Sequence, residues 1–326
     1  MGATQVLVSL RPLNALERVL AGGRDASLNF IVNYPEMHGL ERDLLDSGEV
    51  GEFAAAAEQA GFDGFALTEH PIPGATWLER GGHQTLDPFV GLAFAAAATE
   101  RIRLVTHIAV APYRNPFLLA KSAATLDRLS HGRFVLGLGA GYHKTEFFAL
   151  GVDFDERNAL FDEALDVLPR AWAGEPFEAE GLHFTARGVI QRPRPTQDPI
   201  PIWIGGNSRL SRRRVATRAQ GWMPMGVPEE VAKSTRSPHI GSLAELGALI
   251  AEVKDLAGDR ADELDFCMTY TGAGIARPTV DVERHRDTIA ELAAAGVNWV
   301  NVGPPPMEAS ATLEFLRAFG ETYCGD

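Results

Sequence analysis

Residues 133–146 read RFVLGLGAGYHKTE: a short apolar run, Phe134, Val135 and Leu136, followed by glycine at every second position, Gly137, Gly139 and Gly141. This pattern describes a buried strand entering a loop where the backbone must approach another group closely. Backbone N–H groups with no Cβ atoms around them form a concavity suited to a phosphate. Neither common phosphate loop fits. A G-x-G-x-x-G dinucleotide fingerprint starting at Gly137 would need glycine where Tyr142 stands. A P-loop ending in Lys144-Thr145 would need glycine at His143 and Leu138. The glycines fit a tight turn after a barrel strand equally well.

Outward from this stretch the chain alternates. Strand candidates begin near residues 28, 65, 102, 133, 200, 221, 264 and 297, and a helical pattern follows nearly all of them. Val50, Phe53, Ala54 and Ala57 recur at helical spacing up to Gly61. Asp87-Pro88 and Asn115-Pro116 each pair an N-cap with proline at the first helical position, and Ser242-x-x-Glu245 is a capping box. Pro169 should kink or end early the helix that spans Phe154 to Trp172. Residues 174–199 break the rhythm with a hairpin around Gly181 and an extended Arg192-Pro193-Arg194-Pro195 arm, and read as an insertion.

Eight strand–helix units predict an α/β fold of the (β/α)8 TIM-barrel type. One domain is expected over 27–326, after an extension at 1–26 in which Leu13, Leu16, Val19 and Leu20 fit a short amphipathic helix. A doubly wound open sheet is the alternative. Its phosphate glycines belong in the first βα turn, whereas here they follow the fourth and fifth strands.

The formal net charge of −13 argues against nucleic acid or an anionic membrane surface as the main partner. Two cysteines, Cys267 and Cys324, are too few for a disulfide framework or a Cys-rich zinc site and suit the cytoplasm. No run of 18 apolar residues occurs, and the start MGATQVLVSLRPLN carries no charged region followed by an apolar core, so neither a membrane span nor an export signal is expected. The nine histidines lack HExxH or paired helical spacing, and no metal is expected. His38, His83 and His131 read as surface or turn residues.

His70 follows directly on the strand Phe65–Thr68, where a TIM barrel puts reacting groups, and an imidazole exchanges protons near neutral pH. From the residues alone, a loop histidine that fixes the turn before Pro71 is the simpler reading. Gly205, Gly206, Asn207 and Ser208 follow the fifth strand, where free amides at a helix N-terminus suit a phosphate; an ordinary helix cap explains Asn207-Ser208 as well. Pro71–Leu86 and residues 174–195 are long enough to cover a barrel mouth as substrate lids.

Four segments resemble the bacterial luciferase-like family of flavin- and deazaflavin-dependent barrel enzymes: GFDGFALTEH at 61–70, PYRNPFLLAKSAATLDRLSHGRFVLGLGAGYHKTEF at 112–147, the helix with DERNALFDEALDVL, and PIPIWIGGNS at 199–208. The arrangement looks most like the branch that uses coenzyme F420, a 5-deazaflavin, in place of FMN. The resemblance implies an oxidoreductase that passes a hydride between the deazaflavin and a small organic substrate. Glu69-His70 would then be the proton-handling pair beside the reactive ring. Thr106, His107 and Ile108 would back that ring, with a non-proline cis peptide between His107 and Ile108, and Gly139, Ala140, Gly141 and Tyr142 would line it.

Some deazaflavin enzymes carry a second acid where Tyr142 stands; Glu146 could replace it only if its loop turns inward. Arg209, Arg212, Arg213 and Arg214 are either a solvated helix face or a contact for the acidic tail of F420. The family also implies a homodimer. Two other functions stay open: a monooxygenase that takes reduced FMN from a separate flavin reductase, and a non-catalytic flavin-binding protein.

Overall fold

The computed structural model describes residues 28–270 and 275–324. Eight strands form its centre: β1 (Asn29–Asn33), β2 (Gly64–Leu67), β3 (Arg103–Thr106), β4 (Phe134–Gly139), β5 (Ile202–Gly205), β6 (Gly221–Met223), β7 (Asp265–Thr269) and β8 (Trp299–Val302). They pair in parallel in chain order. The pairing of β5 with β4, Ile202 opposite Leu136 and Ile204 opposite Leu138, closes the sheet into a barrel. The helices around it are α1 (Val50–Gln59), α2 (Pro88–Ala98), α3 (Pro116–Leu129), α4 (Arg157–Trp172), α5 (Arg209–Arg218), α6 (Leu243–Ala257), α7 (Val282–Ala294) and α8 (Ala309–Phe319). The (β/α)8 expectation holds, with each strand starting within about two residues of its expected place.

Local chemistry starts the helices where the sequence placed them. An Asp87 carboxylate oxygen accepts the Phe89 and Val90 N–H groups at 3.0 and 2.9 Å, and the Asn115 side chain accepts that of Phe117 at 3.0 Å. Ser242 Oγ accepts from Glu245 N–H at 3.1 Å, while the Glu245 carboxylate takes Gly241 N–H at 2.8 Å. These bonds satisfy donors that a helix N-terminus otherwise leaves open.

Side-chain alternation fills the barrel. Ile31, Ala66, Val105, Val135, Trp203, Met223, Cys267 and Trp299, one from each strand, make a buried inner layer, and a larger apolar layer lies between strands and helices. β3 and β4 approach so closely that a Cβ at Gly137 would stand 1.9 Å from the Thr106 carbonyl oxygen, which explains the first glycine of the 137–141 series.

Two expectations change. Pro169 does not end its helix: α4 runs on to Trp172, because Leu168, Ala171 and Trp172 are buried and Trp172 Nε1 donates to the Ala120 carbonyl of α3 at 3.1 Å. The third strand, expected over Arg101–Val110, is broken after Thr106, and Ala109–Val110 pairs beside the end of β4 instead. The 174–199 insertion contains the expected hairpin, Phe177–Glu180 against Thr185–Val189, and Phe177 and Phe184 pack on Phe117 at the start of α3. The helix expected around residues 13–20 lies outside the described residues. Among the described residues no helix is long and apolar enough to cross a membrane.

Candidate active site

The loops after β2 and β4 meet at the C-terminal mouth of the barrel. The short helix Lys144–Ala149 is held by Phe147, fully buried between Tyr113 and Phe154 with ring centroids 4.9 and 5.1 Å away. This anchor turns Glu146 inward, where its side chain is fully buried. Glu146 Oε2 lies 3.1 Å from His70 Nδ1 and accepts the Tyr113 hydroxyl at 2.9 Å. Burial pushes the Glu146 carboxyl up, but the bonds from His70 and Tyr113 outweigh it and hold the group below its ordinary value. A carboxylate can only accept, so His70 Nδ1 donates, and in the neutral imidazole Nε2 keeps its lone pair. Nε2 faces the Tyr142 hydroxyl at 3.4 Å. Burial, with Glu146 nearby, pushes that phenol up to about 12. Thr85 Oγ1 accepts the His70 N–H at 2.8 Å and fixes the backbone.

Glu69 is a different case. Although next to His70 in the chain, its buried carboxylate pairs with the Arg114 guanidinium and accepts the Val110 N–H at 2.7 Å. The expected Glu69-His70 pair is therefore not a bonded unit. The carboxylate that touches His70 is Glu146.

An aromatic wall stands on the other side of His70. The Trp77 ring lies 4.7 Å from His70, 5.2 Å from His83 and 5.1 Å from His143, and His83 is 5.0 Å from His70. His83 is thus no surface residue. It sits in a two-stranded ribbon, Met37–His38 against His83–Gln84, and Trp77 packs over Gly82, where a Cβ would lie 2.3 Å from the indole. Burial pushes the His83 and His143 imidazoles down. Only Gly81-Gly82 in the sequence hints at this wall, and nothing in the local pattern marks Trp77, His143 or Tyr113.

Thr106, His107 and Ile108 floor the mouth. The His107–Ile108 peptide is cis, as the resemblance implies. His107 Nδ1 is 3.5 Å from Asn33 Nδ2, and desolvation pushes the imidazole down to about 4. The Ile108 side chain fills space left by two glycines, since a Cβ at Gly139 or Gly205 would stand 2.4 or 2.5 Å from its Cδ1. At these two positions the group that the backbone approaches is a side chain of the chain itself.

The 205–208 loop is similarly engaged. Asn207 is buried, donates to the Met225 and Pro238 carbonyls at 2.8 Å each, and accepts the Met225 N–H at 2.8 Å; its own N–H goes to Ser237 Oγ at 3.1 Å. Ser208 caps α5 through Ser211 N–H at 3.0 Å. Of the four arginines, Arg212 pairs with Glu252, and Arg214, buried, with Asp162, while Arg209 and Arg213 are exposed.

A closed parallel barrel with a buried carboxylate, an imidazole and a phenol linked at its C-terminal mouth has the architecture of a TIM-barrel enzyme. The chain belongs to the luciferase-like monooxygenase family, which it matches over residues 32–271. An uncharacterized protein of Mycobacterium tuberculosis is 34% identical over 298 residues, spanning 86% of this chain and 97% of that protein. The F420-dependent glucose-6-phosphate dehydrogenase of Beutenbergia cavernae is 34% identical over 270 residues, 76% of each chain. Among solved structures, an F420-dependent secondary alcohol dehydrogenase bound to an F420–acetone adduct superposes with a TM-score of 0.69 at 17% identity, covering 91% of this chain and 98% of that one. At that identity the likeness speaks for the fold.

Proposed function

We propose that the protein is an F420-dependent oxidoreductase that transfers a hydride between the deazaflavin and a small organic substrate, with His70 moving the accompanying proton. The observation that carries this is the Glu146–His70–Tyr142 line: a buried carboxylate on Nδ1 leaves Nε2 as the exchanging nitrogen and stabilises the imidazolium once the proton is taken. F420-dependent dehydrogenases among the relatives support the choice of cofactor.

The residues present fit a planar heterocycle with an amide edge. Asn33 Oδ1 and Asn301 Oδ1, on β1 and β8, are buried acceptors without a partner, and Ile108 offers an apolar surface between them and the glycine loops. When bound, the deazaflavin supplies the hydride chemistry. The chain's residues do the rest. Ile108, Gly139, Ala140 and Gly141 back the ring, Asn33 and Asn301 orient its polar edge, and Trp77, His83 and His143 enclose the substrate and keep water out. Gly205 and Gly206 lie beside the cofactor arm. Glu69 with Arg114 holds the loop that carries His70.

Two further parts belong to the same reading. Val90 and Phe94 on α2 and Leu118 on α3 are exposed on adjacent helices, and we take this surface to pair two copies into a homodimer. A chain with only two cysteines, both of them buried, suits a cytoplasmic setting.

The test is titration of the purified protein with F420 and, separately, FMN, following cofactor fluorescence. Affinity for F420 at least roughly tenfold tighter than for FMN, about 1.4 kcal/mol, supports the reading. The opposite preference, with oxygen consumed in the presence of reduced FMN, would make the protein a reductase-coupled monooxygenase. Tight binding with no turnover, and a His70→Ala variant that behaves like wild type, would make it a flavin carrier.

A further inference from the structure

Three cations converge on the buried ring of Phe154. Lys144 Nζ lies 5.0 Å, Arg157 Cζ 4.0 Å and Arg236 Cζ 5.1 Å from its centroid. They come from separate parts of the chain: the start of the helix after β4, the start of α4, and the segment between β6 and α6. Among the described residues no carboxylate lies within ion-pairing distance of any of them. Arg157 also donates to the Phe154 carbonyl at 2.9 Å, whereas Lys144 and Arg236 are exposed. A phenyl ring offers only a quadrupole, which attracts each cation but cannot neutralise three full charges that repel one another. Lys144 and Arg236, open to solvent and without an ion-pair partner among the described residues, leave the cluster able to take an anion.

Position says which one. Phe154 packs edge-on against Phe147, which packs on Tyr113, whose hydroxyl holds Glu146. Arg236 precedes Ser237, whose Oγ holds the Asn207 N–H. The cluster therefore adjoins both loops that bound the mouth, 139–146 on one side and 205–208 on the other. Of the four arginines of α5, Arg212 and Arg214 are already paired with Glu252 and Asp162, while Arg209 and Arg213 are exposed and do not share the Phe154 ring.

We infer that Lys144, Arg157 and Arg236 form a binding site for the anionic arm of the cofactor, its phosphate or its tail carboxylates. This rests on the F420 reading above and assigns the arm to side chains that the family resemblance did not single out.

The test compares wild type with a Lys144→Gln/Arg236→Gln double variant, with Arg157 kept because it also holds the Phe154 carbonyl. Three probes are titrated by fluorescence: F420, its deazariboflavin fragment without phosphate or tail, and FMN. The double variant should lose roughly tenfold in affinity for F420, about 1.4 kcal/mol, and keep that for the fragment. Raising salt from ~0.05 to ~0.5 M should weaken F420 binding to wild type far more than to the variant. A parallel loss for FMN names the phosphate as the group held; unchanged FMN binding names the tail carboxylates. Equal losses for F420 and the fragment, or no loss and no change in salt dependence, would overturn the inference while the cofactor reading stands. Wild-type protein that binds neither F420 nor FMN would overturn both.

Discussion

Glu146 and His70, 76 positions apart in the chain, meet at 3.1 Å in the barrel mouth, with the carboxylate fully buried and the imidazole held from Nδ1. The carboxylate fixes the tautomer and stabilises the ring when it carries a second proton. Glu146→Gln keeps the shape and removes the charge. Turnover should fall roughly 100-fold, in the range of general acid–base contributions, while the Kd for F420 stays within about twofold. Steady-state kinetics beside a fluorescence titration measures both, and unchanged kcat would exclude His70–Glu146 as the proton device.

Stability should fall in two stages on acidification. His107 titrates at about 4 in the folded chain against an ordinary 6.5, so the unfolded chain binds more protons between those values and stability drops as pH falls from 6.5 towards 4. Glu146 is held below its ordinary 4.5, so its contribution is present above that value and disappears as pH falls below it. Urea midpoints across pH 3 to 8 should show both limbs. His107→Gln should reduce the first, to which His83 and His143, also pushed down by burial, contribute as well, and Glu146→Gln should reduce the second.

Arg114 is the partner of a buried carboxylate. Arg114→Ala would leave Glu69 uncompensated and should destabilise the fold by about 3–5 kcal/mol, read from urea unfolding. Glu69→Gln should also reduce stability but leave the pH profile of turnover in place, since its carboxylate does not touch His70. A shift of that profile as large as the one from Glu146→Gln would return Glu69 to the proton path.

Gly139→Ala would set a Cβ 2.4 Å from Ile108 Cδ1. Overpacking of this kind costs about 1–3 kcal/mol. Ile108→Val removes that Cδ1, at about 0.5–1.5 kcal/mol on its own, and should recover at least half of the loss in the double variant. Simple addition of the two costs would mean that the glycine answers to something other than Ile108.

The barrel was legible in the sequence because its signals are local. Strand runs, the Asp87 and Asn115 caps with their prolines, and the Ser242-x-x-Glu245 box each depend on residues within one turn or one strand, and they start the observed elements. Pro169 misled because its local cost is met by long-range packing of Trp172 on α3. His83 misled for a similar reason: its burial comes from Trp77 and from a ribbon partner 45 positions earlier, His38.

By itself, then, the sequence determined the alternation that closes a barrel and the place of His70 just beyond the second strand, since period and order are properties of the chain. Only the tertiary structure decided which carboxylate faces His70, that Ile108 fills the space beside Gly139 and Gly205, and that Lys144, Arg157 and Arg236 share one ring. Those choices depend on side-chain direction and on closure of the sheet. Neighbours in sequence, such as Glu69 and His70, take different partners, while residues many positions apart are brought within a hydrogen bond.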